Sequence, residues 1–197
     1  RPDTINLEKL KIIKAHGCER ISINPQSMKP ETLVTIGRSH TPLEIEKAFE
    51  LAHSLDFNSI NADLIAGLPG EKLSDFDASL EKIIGLGADN ITIHSLAVKR
   101  SSRLKDDDPA FHYKQSSITN SMTAKGFETL CNRGFEPYYL YRQKHMVGAG
   151  ENIGYCKPEK AGLYNIRIMD EHQSILALGA GAISKRFYPE ENRLERI

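Results

Sequence analysis

The feature that most constrains this chain is a repeated unit, a β-branched stretch of strand length followed by a capped amphipathic helix, with successive strands about 30 to 40 residues apart. Arg20-Ile21-Ser22-Ile23-Asn24 alternates with β-branched residues and stops at Pro25, as a buried strand does. Thr41-Pro42-Leu43-Glu44 then supplies a Thr cap, a Pro at the first helical position and a Glu able to close a capping box. Ile45, Ala48, Phe49, Ala52 and Leu55 recur at three and four and lay an apolar stripe along that helix. A second strand is predicted from Ser59 to Ile65, ending in the turn Gly67-Leu68-Pro69-Gly70. A helix over Ser74 to Ile84 turns Phe76, Leu80 and Ile83 inward and is ended by Gly85 and Gly87, and a third strand covers Asn90 to His94. Upstream, Leu7 to His16 reads as a short helix capped by Asn6 and closed by Gly17. This succession predicts an α/β fold with a parallel sheet and right-handed connections.

Downstream the pattern changes. Arg100 to Pro109 is charged and aperiodic and reads as a loop, and a longer helix follows from about Lys114 to Asn132. Tyr138 to Arg142, Tyr164 to Met169 and Ser174 to Leu178 read as later strands, with the glycine-rich Val147 to Gly154 as an irregular connection. Three βα units do not close a barrel, so the fold is expected to be truncated upstream, with an open sheet edge that favours self-association.

Hydrophobic residues make up 40% of the 197 and charged residues 26%, enough apolar material for a sizeable core. Lys plus Arg equals Asp plus Glu at 26 each, so no net field draws the chain to nucleic acid or an anionic membrane. No stretch approaches the roughly 18 to 20 apolar residues of a membrane span, and the charged opening resembles no secretory signal, which together predict a cytoplasmic location. Cys18, Cys131 and Cys156 are odd in number and far apart, the pattern of ordinary reduced thiols rather than of disulfides or a zinc site. The seven histidines show no metal-binding spacing, and no metal ligand is assigned.

In parallel α/β architectures functional side chains gather at the carboxyl ends of the strands. That rule selects Gln26 past the first strand, Asp63 towards the end of the second and Ala97 past the third. An Asp there can accept from both hydroxyls of a ribose, while Gln offers a donor and an acceptor. Arg38, following Gly37, can clamp a carboxylate with two parallel hydrogen bonds. Taken singly, a polar residue of this kind is more often a structural cap, turn or surface group, and together they indicate a small polar ligand. Gly67 to Glu71 lacks the Lys and the spacing of a phosphate loop, and Gly179-Ala180-Gly181-Ala182 lacks the third glycine of a dinucleotide fingerprint.

Three segments in order resemble a known family: Arg20 to Met28, Gly37 to Thr41, and Asn61 to Glu71, joined later by Leu176 to Ser184. Together they look like the radical S-adenosylmethionine coproporphyrinogen oxidases. Tyr139 to Lys144 followed by Glu151 to Tyr155 is similar to the divergent branch named oxygen-independent coproporphyrinogen dehydrogenase. The resemblance implies a partial TIM-like (β/α) barrel with a C-terminal α+β extension, residues 1–112 forming the second half of the barrel and 113–197 the extension. It implies S-adenosylmethionine as cofactor, with Gln26 and Asp63 on the ribose hydroxyls, Arg38 on the methionine carboxylate, and Ile65 and Ala97 flanking the adenine. It implies a [4Fe-4S] cluster held by Cys-x3-Cys-x2-Cys, a motif absent from these residues, so the cluster is expected upstream in the complete protein and these 197 residues are expected to be inactive alone. The implied activity is oxidative decarboxylation of two propionates of coproporphyrinogen III to give protoporphyrinogen IX, with an external electron donor. The alternative in the same superfamily is a haem chaperone, which binds haem without decarboxylation.

Overall fold

The computed structural model describes residues 1–98, 108, 110–143, 145–148 and 150–197. They divide into two compact units, Arg1–Ala161 and Gly162–Ile197.

The first unit begins with helix α1 (Leu7–Ala15), whose first turn is capped by the Asn6 side chain accepting from the Lys9 N–H, as the sequence predicts. Strand β1 (Arg20–Ser22) leads to α2 (Pro30–Thr35), a short helix that the periodicity did not disclose, and then α3 (Pro42–His53). The expected capping box is present: the Glu44 N–H donates to the Thr41 hydroxyl at 3.3 Å and the Thr41 N–H donates to the Glu44 carboxylate at 2.7 Å. Such a cap contributes on the order of 1 kcal/mol. Strand β2 (Ser59–Ala66), α4 (Leu73–Gly85) and β3 (Asn90–Ser95) follow as the spacing predicts. The Arg100 to Pro109 loop lies outside the described residues apart from Asp108. Beyond it run α5 (Phe111–Lys114), α6 (Ser116–Asn132), β4 (Glu136–Tyr141) and β5 (Asn152–Cys156).

The five strands form one sheet in the order β1-β2-β3-β5-β4, the first three parallel and the last two added antiparallel. Strand β5 corrects the expectation of an irregular connection over Val147 to Gly154, because its second half is paired on both sides. Gly154 suggests a breaker in the sequence, yet here it is a sheet residue with a packing purpose. A Cβ on Gly154 would stand 1.8 Å from Cε1 of Tyr139, so the bare backbone lets the Tyr139 ring lie across β5.

The register sorts side chains cleanly onto two faces. Ile60, Ala62, Leu64 and Ala66 of β2 join Ile91 and Ile93 of β3 and Tyr155 of β5 on one face, where they are buried under Ile45, Phe49 and Ala52 of α3 and Phe76, Leu80 and Ile83 of α4. Each large apolar side chain so covered contributes about 1.5–3 kcal/mol. The opposite face carries Ser22, Asn61, Asp63, Ile65, Asn90, Thr92 and His94. A parallel sheet is ordinarily apolar on both faces, so a polar inner face marks a surface reserved for a ligand or water.

The second unit contains α7 (Leu163–Asp170) and the hairpin of β6 (Lys185–Tyr188) with β7 (Arg193–Arg196). Two expected strands are corrected here. Tyr164 to Met169 is helical: Leu163, Ile166 and Met169 recur at three-residue steps, and Glu171 in the left-handed region closes the helix. Ser174 to Leu178 forms no strand, and of these residues only Ile175 pairs, exchanging backbone hydrogen bonds of 2.8 and 2.9 Å with Lys185.

Gly154→Ala forces the Tyr139 ring off β5 and is expected to destabilise the protein by about 1–3 kcal/mol. In urea unfolding, the same substitution made on a Tyr139→Ala background should cost markedly less than on the native sequence. Equal costs on both backgrounds would show that Tyr139 does not set the constraint.

Candidate functional site

The polar face is centred on β2. Asn61, Asp63 and Ile65 alternate with buried aliphatics along that strand, and parallel pairing places Asp63 opposite Thr92 and Ile65 opposite His94. At the carboxyl end of β1 the chain departs from regular pairing. Ser22 pairs with Asn61 and Gln26 with Leu64, so the β1 side carries one residue more than β2 between the two pairs, a bulge at Asn24-Pro25. Gln26 absorbs it with φ of +71°, a left-handed conformation that costs a non-glycine residue about 1–3 kcal/mol and concentrates at ligand-binding positions. Its N–H donates to the Asp63 carbonyl at 2.9 Å and its carbonyl accepts from the Ile65 N–H at 3.0 Å. Three of the residues selected from the sequence, Gln26, Asp63 and Ile65, are therefore direct backbone neighbours.

Arg38 follows α2, where its N–H donates to the Leu33 carbonyl. His40, two residues on, is buried and its Nε2 lies 3.1 Å from the Pro25 carbonyl, which fastens the Arg38 segment beside the Gln26 turn. Ala97 lies just past β3 and pairs with Met146. The adjoining N–H groups of Val98 and Val147 donate to the His145 and Leu96 carbonyls at 2.9 and 2.7 Å. Two buried acceptors at the Pro25 turn, Asn24 Oδ1 and His40 Nδ1, have no partner among the described residues. Unpaired buried polar atoms are uncommon, and these two fall beside the strained Gln26 turn.

Sequence reading missed the hydrogen-bond network that surrounds Asp63. Tyr139 and Thr92 hydroxyls stand 3.1 Å apart, Thr92 donates to Asn61 Oδ1 at 3.4 Å, and Asn61 Nδ2 donates to Asp63 Oδ1 at 2.8 Å. On the other side Gln143 Nε2 donates to the Tyr141 hydroxyl at 3.4 Å, that hydroxyl meets His94 Nδ1 at 3.3 Å, and His94 Nε2 lies 3.5 Å from Asp63 Oδ2. The Tyr139 and Tyr141 rings are parallel to within 6°, with centroids 6.3 Å apart. Burial pushes both phenols above the ordinary tyrosine value, so both remain protonated donors. The available signal was the cluster Tyr138-Tyr139-Leu140-Tyr141, whose tyrosines reach across β5 to Asn90, Thr92 and His94.

A second polar link joins the loops behind the site. Ser27 donates to Glu71, whose carboxylate also takes a hydrogen bond from Thr32, while Lys29 pairs with Asp75 at 2.7 Å. The Gln26 turn is thereby tied to the loop after β2. Glu71 is 5% exposed, and burial raises its pKa above the ordinary 4.5 against the lowering effect of Ser27 and Thr32.

This chain's thiols do not fit a cluster. Cys18 follows α1, Cys131 ends α6 and Cys156 ends β5, and all three are free. Among the described residues no group of three His, Cys, Asp or Glu could hold a metal ion, and no helix is long and apolar enough to cross a membrane.

The radical SAM superfamily profile matches residues 1–83. Over 185 residues the chain is 41% identical to the oxygen-independent coproporphyrinogen-III oxidase-like protein HemZ of Bacillus subtilis, covering 94% of this chain and 37% of that protein. It is 26% identical over 196 residues to the heme chaperone HemW of Escherichia coli, covering 96% and 46%. The B. subtilis HemW is 36% identical over 98 residues, covering 50% of this chain and 26% of that protein. Among solved structures, coproporphyrinogen III oxidase HemN of E. coli, described as a radical SAM enzyme, superposes with a TM-score of 0.66 at 18% identity over 99% of this chain and 49% of its own. The chain thus spans less than half the length of these relatives, and the HemN likeness supports the partial-barrel α/β fold.

Glu71 offers a test of the loop tie. A carboxyl whose pKa is raised on folding binds its proton more tightly in the folded state, so its contribution to stability falls as pH rises above about 4.5. Glu71→Gln removes the charge and keeps an acceptor for Ser27. Thermal melts should place the variant above the native protein at pH 7, with the gap narrowing at pH 4. A variant that melts lower at pH 7 would show that the Ser27 and Thr32 hydrogen bonds outweigh burial.

Proposed function

We propose, for a chain that belongs to the radical SAM superfamily among its coproporphyrinogen-oxidase-like members, that the inner face binds S-adenosylmethionine and that the complete protein decarboxylates the propionates of coproporphyrinogen III. The observation that carries this reading is the contact between Gln26 and Asp63, in which a strained turn residue is hydrogen-bonded to the backbone of an inward-facing carboxylate. S-adenosylmethionine held there would supply the chemistry that abstracts hydrogen from a propionate.

The chain's own residues bind and orient. Asp63 accepts from the two ribose hydroxyls, a geometry that a carboxylate meets with both oxygens, and Gln26 adds a donor and an acceptor beside it. The Arg38 side chain makes no hydrogen bond or ion pair among the described residues. Its planar guanidinium is free to take the methionine carboxylate in a bidentate pair. Ile65 and Ala97 offer small apolar surface to the adenine, and neither competes for its hydrogen-bonding edge. Holding the reacting carbon still against a propionate and keeping water away are what a rigid inner face contributes to such chemistry.

The haem-chaperone reading draws on the HemW likenesses, at 26% to 36% identity, and the oxidase-like relative at 41% favours decarboxylation. With the complete protein under anaerobic reducing conditions, coproporphyrinogen III and S-adenosylmethionine should give the divinyl product and carbon dioxide. Stoichiometric haem binding with no carbon dioxide released would favour the chaperone instead.

Asp63→Asn keeps one acceptor and turns the other towards donation. Hydrogen bonds to a charged group contribute about 1.5–3 kcal/mol, so calorimetric titration of the complete protein should show S-adenosylmethionine affinity falling about ten- to a hundredfold. Arg38→Gln should weaken it comparably. Unchanged affinity in both variants would remove the basis for the site.

A further inference from the structure

We propose that His94 and Tyr141 are positioning residues that hold the Asp63 carboxylate in the rotation a diol requires, the middle of a donor chain that runs from Gln143 to Asp63. The inference rests on the reading of Asp63 as a ribose acceptor and goes beyond it by naming what aims that acceptor.

The direction of the chain follows from the groups in it. Gln143 reaches the Tyr141 oxygen through its amide nitrogen, a donor only, at 3.4 Å, and the Tyr141 proton is left to point elsewhere. Another partner of that hydroxyl is His94 Nδ1 at 3.3 Å, which accepts if the ring carries its proton on Nε2. Nε2 is the atom facing Asp63 Oδ2, at 3.5 Å, long for a hydrogen bond, as such contacts often are before a ligand is bound. Each link thus fixes the next, and the Tyr141 phenol decides which tautomer His94 presents. Asn152 also hydrogen-bonds the phenol, and the His94 and Tyr141 rings meet edge to face with centroids 6.3 Å apart, so the pair has little freedom to turn.

The chain also has a counterpart. Thr92 donates to Asn61, Asn61 donates to Asp63 Oδ1, and the Tyr139 hydroxyl is left to donate to Thr92. Asp63 therefore receives a donor chain on each oxygen, one from Tyr139 and one from Tyr141, both residues of β4. A carboxylate fixed on one oxygen alone can rotate out of the plane that a vicinal diol needs, whereas one fixed on both is pre-oriented, and pre-orientation raises affinity by removing ordering costs. His94 meets Asp63 and Tyr141 meets His94, so their effect on the ligand passes through Asp63.

The test measures S-adenosylmethionine affinity by calorimetry on the complete protein, with thermal melts to confirm folding. His94→Phe keeps the ring and removes the donor, and is expected to weaken binding about tenfold. His94→Gln replaces a donor of similar reach and is expected to recover most of the loss. Tyr141→Phe is expected to weaken binding about threefold, and the double variant His94→Phe with Tyr141→Phe to be no weaker than His94→Phe alone, because both act along one chain. Independent effects that multiply in the double variant would overturn the proposal. So would native affinity in His94→Phe while Asp63→Asn is weakened, a result that leaves the ribose reading standing. Native affinity in Asp63→Asn would instead remove the ribose reading, and the positioning role with it.

Discussion

The site depends first on the parallel pairing of β2 between β1 and β3. Strand side chains alternate with a period of two, so register alone decides which residues share the inner face. As paired, Asp63 stands with Thr92 and Ile65 with His94, while Ala62, Leu64, Ile91 and Ile93 turn to the helices. A slip of one residue would bury Asp63 under α3 and α4 and turn Leu64 to the lumen. The apolar face prevents it, because burying an unpaired carboxylate costs several kcal/mol and exposing Leu64 forfeits about 2 kcal/mol more. The hydrophobic core thus selects the position of the polar site from the opposite face of the sheet.

The antiparallel addition of β5 and β4 turns that polar face into a connected network. Gly154 brings no side chain to the inner face, and the space is filled by the Tyr139 ring, whose hydroxyl reaches Thr92 two strands away. Each neutral hydrogen bond in such a network contributes only about 0.5–1.5 kcal/mol. The value of the arrangement lies in its direction, since each buried phenol that stays protonated keeps a donor to pass towards Asp63. A polar network of this kind rigidifies a site when its members are satisfied and weakens it when they are not.

What was legible in the sequence follows the range of the physics involved. The capping box at Thr41 and Glu44 and the alternation of Ser59 to Ile65 are local signals, and the structure carries both elements where they were expected. The placement of Gln26, Asp63 and Ala97 at the carboxyl ends of strands was likewise deducible from the order of strands and helices. The β5 pairing was not, because Gly154 looks like a breaker unless one knows that Tyr139 needs its space. Helix α7 was misread for the opposite reason: over a few residues an alternation of apolar positions is compatible with either period, and no partner strand exists to decide it. The left-handed turn at Gln26 and the His94–Tyr141 contact depend on residues far apart in sequence, and nothing local announces them.

The same division explains how recognition is built on a chain with no net charge. Without an overall field to steer a ligand, selectivity must come from a few fixed groups at short range. Arg38 sits on a segment fastened through His40 to the Pro25 carbonyl, and Asp63 sits on the strand that hydrogen-bonds to the next residue of that turn, Gln26. The segments that carry this guanidinium and this carboxylate are thereby both anchored to one strained turn. Such an anchoring would suit the proposed ligand, which carries an anionic group at one end and a diol at the other. The same turn is tied on its far side through Ser27, next to Gln26, to buried Glu71.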